Sequence, residues 1–154
     1  MSEIDPPRWT VHCDGSAMPN PGKMGLGAVL SSPDGQYHTL SHNTHAVGCN
    51  NEAELRALMA ALAQAQALGV SCLAVFTDNH VLVDHLVDAD GRHAGRPIER
   101  LAPLFEEARA LMASFEDLSL RWVPRHRNAQ ADALARAALG MGPKVQASRK
   151  KKRR

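Results

Sequence analysis

The sequence predicts an α/β domain, a mixed sheet with helices on its faces. Three observations point there. Residues 8–43 alternate between apolar and polar side chains and are broken by Gly- and Pro-rich turns, the pattern of an antiparallel meander. From Asn50 the apolar period lengthens to that of a helix. Two later apolar runs, CLAVFTD and LSLRWV, are separated and followed by helical segments, as strands joined by crossovers are.

The elements follow in order. In RWTVHCD (8–14), Trp9, Val11 and Cys13 face one way and Thr10, His12 and Asp14 the other, with Asp14 expected to end the strand. SAMPNPGK (16–23) reads as a turn, GLGAVLSS (25–32) as a strand, PDG (33–35) as a tight turn and QYHTLSHN (36–43) as the returning strand. NNEAELRALMAALAQAQALG places Leu55, Leu58, Met59 and Leu62 on one helical stripe. Asn50 or Asn51 can cap its start and Gly69 its end. CLAVFTD (72–78) is apolar throughout, as a buried parallel strand should be. HVLVDHLVDA (80–89) reads as a short helix, GRHAGRP (91–97) as a loop and LAPLFEEARALMASF (101–115) as a helix that tolerates Pro103 in its first turn. LSLRWV (118–123) is the last strand, and Asn128 opens a helix closed by Gly140. The expected order is β-β-β-α-β-α-α-β-α.

The 154 residues, 44% hydrophobic, suit one domain with its own core. No apolar run approaches the roughly 18–20 residues that span a bilayer. MSEIDPPRW carries two acids and no apolar stretch, so no signal peptide is expected. Cys13, Cys49 and Cys72 have no metal-type spacing and are expected to be reduced thiols in a cytoplasmic protein. His38, His42 and His45 match no zinc pattern and read as surface histidines. The formal net charge is +2, from 18 Lys and Arg against 16 Asp and Glu, yet six of the cations form RKKKRR at 149–154. Without them the balance is 12 against 16, or −4, so the body is mildly acidic. We expect residues 1–140 to form the domain and 141–154 a disordered basic tail, either a nucleic-acid contact or a solubilising segment.

Asp14 and Asp78 each follow an apolar strand. Open α/β sheets bind ligands beyond the carboxyl ends of their strands. If the first and fourth strands are parallel neighbours, the two carboxylates come close together. Like charges so placed resist ionisation unless a cation joins them, and a hard ion such as Mg²⁺ suits such donors. Each acid alone reads equally well as a turn residue or a cap. Glu54 fits a capping box with Asn51, and Glu52 is a second local candidate. Asp132 sits where an acid favours a helix N-terminus.

Taken together, DGSAMPNPGKMGLGAV, NNEAELRAL, FTDN and WVPRHRNAQADALARAA resemble the signature blocks of type 1 ribonuclease H, in order, over residues 8 to about 139. The resemblance implies a five-stranded mixed sheet in the order 3-2-1-4-5. It places a catalytic acid quartet on Asp14, Glu54, Asp78 and Asp132, choosing Glu54 over Glu52 through the pattern Asn-Asn-x-x-Glu-Leu at 50–55. It implies two Mg²⁺, with Mn²⁺ as a substitute, and cleavage of the RNA strand of RNA–DNA hybrids to 5′-phosphate and 3′-hydroxyl ends. It also implies substrate contacts from Gly15, Ser16, Asn20, Asn50, Asn51, Asn79 and Arg125, and no partner membrane; a monomer is the default expectation.

Two departures stand out. His126 falls at the family's mobile histidine, a proton shuttle or product-release group, but Arg125 precedes it where the family has Gly. Arg125 or Arg127 can take over part of that role. The segment 90–100, DGRHAGRPIER, occupies the place of the family's basic handle with three Arg but no Lys or Trp. Two other functions therefore stand beside the first: a non-catalytic nucleic-acid-binding module on the same fold, and a nuclease preferring another duplex such as double-stranded RNA.

Overall fold

The computed structural model describes residues 7–87 and 99–142. Its five strands are β1 (Trp9–Met18), β2 (Gly22–Ser31), β3 (Tyr37–Gly48), β4 (Cys72–Thr77) and β5 (Asp117–Trp122). The helices are α1 (Asn50–Ala67), α2 (His80–Val87), α3 (Ala102–Ala113) and α4 (Ala129–Ala138), with single 3-10 turns at Glu99–Leu101 and Arg125–Arg127. The sheet order is β3-β2-β1-β4-β5, with β1 antiparallel to β2 and parallel to β4. This is the expected order, element for element.

Several boundaries differ from the sequence reading. Asp14 does not end β1. The strand runs on to Met18 because β2 starts earlier than expected and pairs with it, from Asp14↔Gly27 to Met18↔Lys23. The turn shrinks to residues 19–21. β3 likewise extends to Gly48, carried by pairing with β2. At α1 the N-cap is Cys49, whose sulfur accepts the Glu52 N–H at 3.4 Å. Asn50 and Asn51 are the first helical residues instead, and Glu54 is not part of a capping box.

The main core lies between the sheet and α1, where Leu55, Leu58 and Leu62 meet Val11, Leu26, Leu30, Leu73 and Val75, all buried. Each fully buried Leu stabilises the fold by roughly 1.5–3 kcal/mol. Leu82, Leu101 and Phe105 extend this core. The residues of β2 alternate. Leu26, Ala28 and Leu30 face α1, while Gly25 and Gly27 face α4. A Cβ on Gly25 would lie 2.4 Å from the Ala135 carbonyl oxygen, and one on Gly27 2.3 Å from that of Ala131. So α4 rests directly on the strand backbone. Both long helices end as expected. Gly69 and Gly140 take φ of +78° and +77°, and the following Val70 and Met141 N–H groups donate to Ala65 and Arg136 at 3.0 and 2.9 Å.

All three cysteines are free, Cys13 and Cys72 buried. No described helix is long and apolar enough to cross a membrane. His38 stacks on Trp9, while His42 and His45 are exposed on β3. Residues 88–98, with Arg92 and Arg96 of the expected basic handle, and the RKKKRR run lie outside the described residues.

Candidate active site

The parallel register of β1 and β4 pairs His12 with Phe76. Asp14 and Asp78 each lie two residues beyond this last pair, so the parallel strands deliver both to the same end of the sheet. Glu54 arrives from α1. A Cβ on Gly15 would lie 2.1 Å from the Ala53 carbonyl oxygen, so the helix touches the strand there. That contact lets the Gly15 N–H donate to Glu54 Oε1 at 3.3 Å. One carboxylate oxygen from each of Asp14, Glu54 and Asp78 lies within 4.8 Å of the others. Among the described residues this is the one group of three with metal-ligand spacing.

Asp132, in the first turn of α4, closes the set and adds to the upward push on the Asp14 carboxyl. The four acids line a cleft of about 520 Å³ together with Gly15, Ser16, Asn50, Asn79 and Arg125. Met18, His80 and Arg136 complete its wall.

Burial dominates the electrostatics. Loss of hydration, then the charges of Glu54 and Asp78, push the Asp14 carboxyl up to about 11. Burial and the Asp78 charge push Glu54 up to about 8, against the opposing pulls of Asp14, the Gly15 N–H and Arg125. The neighbouring Cys13 thiol is also pushed up, first by burial and then by the three acids. Such a cluster cannot carry its full charge at neutral pH unaided. Closely set hard oxygen donors whose charged forms await a cation fit a divalent ion such as Mg²⁺ or Mn²⁺.

The remaining expected residues fall into two groups. Asn50 lines the cleft, and its Oδ1 accepts the Ala17 N–H at 2.9 Å. Asn79 lines it too, caps α2 by accepting the Leu82 N–H, and donates to Asn51 Oδ1 at 2.9 Å. Asn20 and Asn51 stand outside the wall; Asn20 Oδ1 accepts the Asn50 N–H and so ties the β1–β2 turn to α1. His126 is exposed on its 3-10 turn and outside the wall, whereas its neighbour Arg125 is within it. Gly15, expected to offer its backbone to substrate, uses its N–H on Glu54.

Sequence reading missed several contributors, Met18 and His80 of the cleft wall among them. Trp122 is 41% exposed, donates Nε1–H to the Asp78 carbonyl at 3.3 Å and stacks on His80 with ring centroids 4.6 Å apart. An aromatic ending the last strand was the available signal. Arg136 lies one helical turn after Asp132, and its Nε donates to the Gly142 carbonyl at 2.9 Å. Asn128 reads in sequence as a cap, yet its side chain makes no capping bond.

Residues 12–138 match the family model described as reverse transcriptase-like. The chain is 32% identical to a ribonuclease H of Chromohalobacter salexigens over 146 residues, covering 87% of this chain and 85% of that protein. The chain belongs to the type 1 ribonuclease H family. A ribonuclease HI of Halobacterium salinarum is 35% identical over 133 residues, 86% of this chain and 64% of that protein. The crystal structure of RNase H1 from the same archaeon superposes with a TM-score of 0.79 at 33% identity, covering 86% of this chain and 98% of that one. A ribonuclease H1 solved in complex with an RNA/DNA hybrid superposes at 0.74 with 27% identity, covering 86% and 97% of the two chains. A bifunctional protein of Mycobacterium tuberculosis is 36% identical over 131 residues, 84% of this chain. Ribonuclease H similarity there is partial in extent, since the chain spans 35% of the length of its mycobacterial relatives.

Proposed function

We propose that this chain is an endonuclease that hydrolyses the RNA strand of RNA–DNA hybrids by a two-metal-ion mechanism, leaving 5′-phosphate and 3′-hydroxyl ends. One observation carries the reading: Asp14, Glu54 and Asp78 converge within 4.8 Å in an open cleft of a ribonuclease H fold. The solved hybrid complex of a similar ribonuclease H1 supports the substrate class.

Asp14, Glu54, Asp78 and Asp132 would hold the ions, with Asp14 central because it interacts with the other three. Bound by these four carboxylates, divalent ions would supply the positive charge that makes a water nucleophilic and neutralises a leaving oxygen. The chain's own groups do the rest. The Gly15 N–H holds the Glu54 carboxylate in place. Arg125, whose charge already acts on Glu54, offers its guanidinium to a phosphate at the cleft wall. We assign it the phosphate-contacting part of the role expected of His126, since a permanently charged guanidinium shuttles no proton. The His80–Trp122 stack supplies a flat aromatic surface at the rim for a base or sugar. Asn50 and Asn79 supply polar groups suited to a minor groove, where the 2′-hydroxyl distinguishes RNA from DNA. The RKKKRR run adds non-specific phosphate contacts.

The test is cleavage of an end-labelled hybrid beside double-stranded RNA and double-stranded DNA, with Mg²⁺ or Mn²⁺, comparing wild type with Asp14→Asn. Cutting of only the hybrid's RNA strand, lost in the variant, is the expected result. Cutting of double-stranded RNA in preference would change the substrate. Binding without cutting would make the chain a non-catalytic module.

A further inference from the structure

We propose that Asn128 is a positioning residue that holds the Asp78 carboxylate at its distance from Asp14. The proposal rests on the metal-holding reading of the acid cluster.

The backbone leaves a gap that this side chain fills. Paired residues between β1 and β4 run from Trp9↔Leu73 to His12↔Phe76 and stop there. Both acids lie beyond that last pair, and β4 itself ends at Thr77. No ladder bond therefore fixes Asp78 relative to Asp14. Asn128 is 1% exposed and reaches this point from the start of α4. Its Nδ2 donates to the Cys13 carbonyl at 2.9 Å and to Asp78 Oδ2 at 3.3 Å. Both partners are acceptors, so the amide has one possible orientation. The Cys13 carbonyl belongs to the peptide that leads into Asp14. The Asn128 carbonyl accepts the Asp132 N–H at 3.0 Å. One residue thus joins the chain segments that carry three of the four acids.

Two further observations separate this role from ordinary packing. Asn128 occupies the N-cap position of α4, where an Asn side chain usually bonds the first turn, yet it makes no such bond. Its Oδ1 is buried with no hydrogen-bond partner among the described residues. A buried, unpaired carbonyl oxygen lowers stability. A leucine of similar shape would avoid that cost but would leave the Cys13 carbonyl and Asp78 Oδ2 without this donor. The chain keeps an amide here, and only the NH2 end is used.

Two variants decide the matter. Asn128→Leu removes the donor and the unpaired oxygen together. Asn128→Ser keeps a good N-cap for α4 but is too short to reach Asp78. Mn²⁺ binding to the protein alone is read by calorimetry, melting is read in EDTA, and kcat and KM are read on hybrid. For Asn128→Leu we expect a folded protein that melts below the wild type by no more than about 10 °C, at least tenfold weaker Mn²⁺ binding, at least tenfold lower kcat and KM within twofold. Asn128→Ser should show the same losses of binding and kcat. Wild-type Mn²⁺ affinity in either folded variant overturns the proposal, as does a loss confined to melting temperature or KM. If neither variant folds, the residue is a structural one and the proposal fails. A wild type that binds Mn²⁺ without cutting hybrid removes the hydrolase reading alone, and the binding arm still decides Asn128. A wild type that binds no Mn²⁺ overturns the metal-holding reading and this proposal with it.

Discussion

Gly15 and Glu54 meet through a single hydrogen bond, Gly15 N–H to Glu54 Oε1 at 3.3 Å, and the bond exists because α1 touches β1 where Gly15 has no side chain. Gly15→Ala would put a methyl 2.1 Å from the Ala53 carbonyl oxygen, which is backbone and cannot rotate away. The helix must shift outward and take Glu54 with it. We expect a destabilisation of about 1–3 kcal/mol. We also expect cleavage to fall at least about 100-fold, since a displacement near 1 Å can cost that much. Thermal melting and hybrid cleavage check the two effects; full activity in the variant would mean Glu54 need not sit where it does.

The acid cluster makes an opposite prediction for stability and activity. Asp14→Asn replaces a carboxyl that must take up a proton at pH 8 to be buried beside Glu54 and Asp78. Cleavage should drop about 1,000-fold or more, while melting in EDTA at pH 8 should rise. A variant that loses both would point to a structural role for the carboxylate.

The pH dependence follows from the sign of the shifts. Asp14 and Glu54 both titrate above their ordinary values of 3.8 and 4.5 in the folded chain. A raised folded value contributes stability that is complete below the unfolded value. It fades as pH climbs through the folded one, near 8 for Glu54. In EDTA the melting temperature should therefore fall between pH 5 and 9, by about 5 °C or more. Mg²⁺ needs the ionised carboxylates, so the temperature gain it gives should grow over the same range. A flat EDTA profile would contradict the picture of an over-charged, uncompensated cluster.

Arg125 and His126 are neighbours with different surroundings, one lining the cleft and the other exposed beside it. Arg125→Ala should reduce kcat/KM for hybrid about tenfold, equivalent to about 1.4 kcal/mol. His126→Ala should stay within about twofold. Reversal of that ranking would return the histidine to the role its sequence position suggests.

Deletion of 149–154 should weaken hybrid affinity and lower the salt slope of log K, by about 0.9 for each phosphate that the tail neutralises. Filter binding at several salt concentrations reads the slope. An unchanged slope would leave RKKKRR as a solubilising segment.

The order of elements was legible because each carries its own period: alternation before Asn50, a helical stripe after it, an unbroken apolar run at 72–76 and alternation again in LSLRWV at 118–123. The glycine ends of α1 and α4 were legible for a local reason, the positive φ that glycine accepts. The acid quartet needed more than local rules, because Glu54 and Asp132 each have a sound reason to begin a helix. Only the combined blocks separated them from caps. What sequence hid was tertiary. SAM at 16–18 looks like the start of a turn, but β2 pairs with it as strand. Asn128 looks like a cap until Cys13 and Asp78 are found across from it. Arg136 and His80 are marked as cleft residues by no pattern of their own, only by where α4 and α2 lie.

The glycine contacts under α4 reach beyond packing. Gly25 and Gly27 let the carbonyls of Ala135 and Ala131 settle against bare main chain, so Asp132, next to Ala131, rides on a seat with no side chain beneath it. A contact made through side chains can relax by changing rotamer; this one has no rotamers to change. The height of Asp132 above the strand-borne acids is then set by atomic radii. The site carries its own ruler.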